Sequence, residues 1–124
     1  GLGDVYKRQE LILGIKIETV TGVEQLEEII AVPGIAFAEV GPTDMSYALG
    51  IPKLTVPLSG KVAEIEKRVG EACKASGVPY HPFTGHLGPE GIPNVIDAGG
   101  RYFTAPSEEI AIIGRAHTKR NMPV

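Results

Sequence analysis

An α/β fold built on parallel strands is what this sequence predicts, and three observations predict it. Short runs rich in Ile, Leu and Val alternate with stretches whose apolar residues recur every three or four positions. No hairpin signal such as Asn-Gly joins two apolar runs, so antiparallel neighbours lack their usual turn. The chain has 124 residues, 43% hydrophobic and 22% charged, the make-up of a globular domain rather than a disordered one.

The elements follow in order. Leu11 to Glu18 (LILGIKIE) reads as a strand buried on both faces and ending at a charge. Thr21 and Glu24 have capping-box spacing, and Val23, Leu26, Ile29 and Ile30 continue it as a helix stopped by Pro33-Gly34. Ile35 to Val40 is the next strand, closing at Gly41-Pro42-Thr43-Asp44, and a short helical turn is expected after Asp44. Val62, Ile65, Val69, Ala72 and Cys73 form one stripe of a longer helix, with Gly77 placed as its left-handed C′ residue. Val78 to Phe83 is a third strand, Thr84 to Pro93 a loop rich in glycine and proline, and Asn94 to Ala98 a short helix closed by Gly99-Gly100. Arg101 to Ala105 makes a fourth strand, and Ser107 caps a last helix through about Thr118.

Four βα units are half of a (β/α)8 barrel, and 124 residues is half of its usual ~250. A doubly wound open sheet is the rival, but no Gly-rich phosphate loop follows any strand.

Composition excludes several functions. A formal net charge of −3 with no Lys/Arg block argues against nucleic acid. No apolar run approaches the ~20 residues needed to span a bilayer and no signal-peptide layout opens the chain, so no membrane partner and a cytoplasmic location are expected. The single Cys73 lies on an apolar helical stripe and reads as a buried structural thiol. Asp4 to Gln9 resembles the in-frame translation of a transposase sequencing adapter. Residues 1–9 are therefore expected to be foreign, leaving 10–124 as the native domain.

In parallel α/β proteins chemistry gathers where strands end and helices begin. Glu18 and Asp44 both occupy such positions and lie 26 residues apart, about one βα repeat, which puts them on neighbouring strand tips. Two carboxylates held together repel unless a cation or proton lies between them. Oxygen-only ligation suits Mg2+ or Mn2+, with Co2+ also able to fit, better than zinc. The residues alone leave two alternatives open, in which Asp44 only caps its helix and Glu18 only pairs with a lysine.

Ile17-Glu18-Thr19 through Gly22-Val23-Glu24, then Val32-Pro33-Gly34 and Gly41-Pro42-Thr43-Asp44-Met45-Ser46, resembles the run around the fifth and sixth strands of the metal-dependent pyruvate aldolase and citrate lyase family. The resemblance is strong over about Ile15 to Pro52 and implies the C-terminal half of the barrel, strands five to eight. It implies that Glu18 and Asp44 hold the divalent ion and that the backbone of Gly41, Pro42 and Thr43 lies against the 2-oxo acid. It also implies that a catalytic arginine and an acid/base histidine belong to earlier strands, so neither role is assigned to a residue here. The sequence departs from the family pattern at Thr43, where alanine is commoner, and at Glu39, a charge in an apolar strand.

Among other candidates, His81 near the end of the third strand reads as a hydrogen-bonded structural residue, and His86 and His117 as loop and surface residues. Arg101 and Arg115 read as solvated. The expected activity is reversible cleavage of a 4-hydroxy-2-oxo acid to pyruvate and an aldehyde by a homo-oligomeric parent, with this portion inactive alone. The rivals are an acyl-CoA lyase of the citrate or malyl type on the same scaffold and a non-catalytic α/β interaction fragment.

Overall fold

Strand β1 (Gly14–Ile17) pairs in parallel with β2 (Phe37–Val40), and β2 with β3 (Tyr80–His81), so the sheet order is that of the chain. The computed structural model describes residues 11–84, 87 and 91–104. Helices α1 (Val20–Glu24) and α2 (Leu26–Ile30) link β1 to β2, α3 (Pro42–Ala48) and α4 (Gly60–Ser76) link β2 to β3, and α5 (Ile92–Asp97) follows. This is the α/β, parallel architecture that the sequence predicts.

The local chemistry moves several boundaries. β1 starts at Gly14 rather than Leu11, and Leu11, Ile12 and Leu13 are exposed in spite of their apolar side chains. The cap of the first helix is Thr19, not Thr21. Thr19 still has extended backbone, so its hydroxyl accepts the Gly22 N–H at 3.0 Å, while Thr21 lies inside the helix. The helix then breaks at Gln25 into two segments. β2 begins at Phe37 instead of Ile35. The helix expected after Asp44 begins earlier, with Pro42 in its first turn, where a missing N–H costs nothing.

β3 is two residues long instead of six because Pro79 and Pro82 flank it and neither can donate to a ladder. Among the described residues, the expected fourth strand is represented by one parallel bridge between Gly100 and Tyr80, with the Arg101 N–H donating to the Tyr80 carbonyl at 2.8 Å, and Ala105 lies outside them. α4 has the predicted stripe, and Gly77 ends it with φ +72°, a left-handed conformation that glycine takes without penalty. The last helix, residues 1–9, His86, Arg115 and His117 lie outside the described residues.

The core forms between one face of the sheet and the helices. Ile17, Ala38, Val40 and Tyr80 pack on Ile65, Val69 and Cys73 of α4, with Leu26 and Ile30 of α2 and Met45 of α3 closing the ends. Burial pushes the Cys73 thiol up to about 11, which makes it an inert packing group. The opposite face carries Lys16, Glu39 and His81 side by side, because Lys16 is in register with Glu39 and Glu39 with His81. Among the described residues no helix is long and apolar enough to cross a membrane.

Candidate metal and substrate site

β1 and β2 deliver Glu18 and Gly41 to the same edge of the sheet, where the Gly41 N–H donates to the Ile17 carbonyl at 3.2 Å. The Glu18 side chain folds across the Gly41 backbone. A Cβ at position 41 would collide with its carboxylate, coming within 2.6 Å of Cγ, so the glycine forms a cradle for Glu18.

Asp44 lies in the first turn of α3 and approaches Glu18 closely enough to interact with its carboxyl. The helix N-cap is Gly41, and no side chain caps it, so the reading of Asp44 as a mere cap finds no support. The other alternative does have an observation behind it. Lys16 Nζ stands 2.7 Å from Glu18 Oε1, on the same strand face two residues away. This ammonium, with a smaller contribution from a hydrogen bond shared with Asp44, holds the Glu18 carboxyl below the usual carboxylate range. Glu18 in turn raises Lys16, with Glu39 and Asp44 adding to the effect. Both side chains are solvated, at 51% and 34% exposure, so the pair adds little to stability.

Three acidic groups and one lysine thus share a mouth, a surplus of negative charge that suits a hard cation. Glu18 and Asp44 would hold such an ion, with water and substrate completing its shell. Among the described residues no group of three or more His, Cys, Asp and Glu gathers as a complete protein cage. A site with only two protein donors leaves positions open for a substrate, as a catalytic ion needs.

Gly41 and Pro42 also line a cavity of about 250 Å³ with Lys16, Glu39, His81, Phe83, Thr84 and Thr104. Thr43 is exposed, and its carbonyl accepts from the Ser46 hydroxyl at 2.7 Å. His81, read from sequence as structural, is held between the Glu39 carboxylate at Nδ1 and the Thr104 hydroxyl at Nε2. The Arg101 guanidinium donates to the Ile96 and Gly100 carbonyls at 2.9 and 2.7 Å, closing α5. Sequence reasoning missed Thr104 and gave Lys16 no role. The charges of Lys16 and Glu39 inside apolar strands are the sequence signal that this face is polar.

A model of the HpcH/HpaI aldolase/citrate lyase family matches residues 4–84. The chain belongs to this family. Solved structures with the same fold include an HpcH/HpaI aldolase from Desulfitobacterium hafniense DCB-2, with a TM-score of 0.67 at 23% identity over 99% of this chain and 49% of that one. Macrophomate synthase gives 0.68 at 21% identity over 96% and 43%, and the citrate synthase SbnG 0.68 at 23% over 96% and 48%. At these identities the likeness shows the fold, and the chain spans about half the length of those structures, as expected for half a (β/α)8 barrel. No curated protein matches the chain.

Gly41→Ala tests the cradle. It is expected to displace the Glu18 carboxylate and weaken Mn2+ binding by about 10–100-fold, the usual range for groups that orient a ligand, while the circular dichroism of the sheet and helices is kept. Calorimetric titration of the variant checks this.

Proposed function

We propose that this chain supplies the metal and 2-oxo acid part of a divalent-metal-dependent carbon–carbon lyase, which reversibly cleaves a 4-hydroxy-2-oxo acid to pyruvate and an aldehyde. Family membership supports lyase chemistry. The observation that carries the finer reading is the approach of Asp44 to a Glu18 carboxylate cradled on Gly41, at the tips of adjacent parallel strands.

Glu18 and Asp44 would hold Mg2+ or Mn2+, and Co2+ would fit the same oxygen donors. The ion supplies Lewis-acid stabilisation of the negative charge that develops on the keto oxygen of the substrate. The chain's own residues do the rest. Gly41, Pro42 and Thr43 present backbone against the 2-oxo acid end, and the absence of a side chain at Gly41 allows close approach. Lys16 keeps Glu18 ionised, so the carboxylate stays a ligand as pH falls.

The test is pyruvate release from a 4-hydroxy-2-oxo acid by the whole barrel that contains this chain, followed with lactate dehydrogenase. Release should require added Mn2+ or Mg2+ and stop on chelation with EDTA. Release that EDTA leaves unchanged would count against the metal reading.

A further inference from the structure

We propose that Lys16 makes the site at Glu18 and Asp44 selective for divalent over monovalent cations: its ammonium competes with the ion for Glu18, and a divalent ion drives it across to Glu39. This rests on the proposed function and adds to it a tethered rival cation that the chain itself supplies.

The strand places Lys16 for that contest. Lys16 and Glu18, two residues apart, project to the same side of the sheet, and Lys16 Nζ stands 2.7 Å from Glu18 Oε1. The ammonium also feels the charge of Asp44, so it bears on both carboxylates proposed to hold the ion. A bound ion and the ammonium thus draw on the same two anions, and like charges a few ångströms apart repel by more than thermal energy even in water. Charge decides the outcome. A monovalent ion brings no more charge than the ammonium does and must come from bulk solution, whereas the tether gives Lys16 a high effective concentration. A divalent ion brings twice the charge and can displace it.

Register supplies the place to which Lys16 moves. Lys16 of β1 stands opposite Glu39 of β2, both on the face away from the core, and cross-strand neighbours of this kind lie within side-chain reach. Glu39 already attracts Lys16 at a distance. Glu39 meets His81 Nδ1 through Oε2, and a carboxylate accepts at both oxygens, so Oε1 can take the ammonium. The Thr104 hydroxyl stands 2.7 Å from His81 Nε2 and steadies the ring that holds Glu39. Lys16 and Glu39 both line the cavity of about 250 Å³, and the Lys16 side chain is 51% exposed, so its flexible four-carbon stem has room to swing.

Calorimetric titration of Mn2+ into the whole barrel that contains this chain tests the competition. Lys16→Met and Lys16→Gln should each tighten Mn2+ binding by about 10-fold, because a repelling charge is gone, and Lys16→Arg should restore the wild-type affinity. A residue that merely held Glu18 in place would give the opposite sign. Replacing tetramethylammonium chloride by NaCl at constant ionic strength should leave Mn2+ binding to the wild type unchanged and weaken it in Lys16→Met. Nitrogen-15 spectra should show the His81 Nδ1 signal moving on addition of Mg2+ in the wild type, as Lys16 reaches Glu39, and moving much less in Lys16→Met. Equal or weaker Mn2+ binding by Lys16→Met and Lys16→Gln, Na+ that fails to compete in Lys16→Met, or a His81 signal that ignores Mg2+ overturns the role of Lys16 and leaves the metal reading standing. Absence of Mn2+ binding to the wild type, or equal binding by wild type, Glu18→Gln and Asp44→Asn, overturns the underlying reading instead.

Discussion

Glu18→Gln should lower the affinity of the chain for Mn2+ by about 100-fold or more, and Asp44→Asn by a similar factor, because even groups that only orient a ligand are worth 10–100-fold. The charges explain the size of the effect. With Lys16 beside them, Glu18 and Asp44 leave a surplus of one negative charge, and either substitution removes it. A neutral amide oxygen cannot replace a carboxylate on a hard ion whose affinity follows ligand charge. The two losses should not add, since one remaining carboxylate facing Lys16 already holds the ion poorly. Folding should be almost untouched: Glu18 is about a third exposed, and substitutions at such sites stay within about 0.5 kcal/mol. Calorimetric titration with parallel thermal unfolding separates the two effects.

Leu26→Ala is expected to reverse the pattern, destabilising the fold by about 2–5 kcal/mol with no direct effect on the ion. Leu26 is fully buried, in the cluster that joins α2 to α4 and to the core face of the sheet. Removing its branched side chain forfeits the transfer energy and leaves a hole that helices tied to the sheet by short loops cannot close. Against a usual total of about 5–15 kcal/mol this is a large fraction. Urea unfolding should show a lower midpoint at an unchanged slope. Ile12→Ala serves as the control, because Ile12 is as apolar but 75% exposed and should cost less than about 0.5 kcal/mol.

Leu26 and Ile12 also show how far the sequence was legible. Both lie in strongly apolar runs, yet only the helical spacing around Leu26 marks a buried face. The run from Leu11 to Leu13 looks like strand and is exposed, because apolarity alone does not say what covers it. Periodicity located α4 and its Gly77 terminus well, since both depend on local chemistry. It overestimated β3, where Pro79 and Pro82 remove the donors a longer ladder needs, and it chose Thr21 over Thr19 because two threonines one residue apart differ only in backbone conformation.

The site was legible in the same uneven way. The nearness of Glu18 and Asp44 could be anticipated because their separation matches one βα repeat and the strands that precede them are adjacent. The Glu39–His81–Thr104 chain could not be found, because it depends on the registers of three segments at once. A shift of one residue in β3 would send the His81 side chain to the other face.

The central claim is that Glu18 and Asp44 share one divalent ion above Gly41. Paramagnetic broadening in nitrogen-15 amide spectra tests it most directly. Substoichiometric Mn2+ should first erase the signals of Thr19, Gly41, Thr43 and Asp44, leaving those of Ala72 and Gly77 at the far end of α4 intact, and Mg2+ should reverse the loss. Broadening that begins elsewhere, or that spreads evenly over the chain, would contradict it.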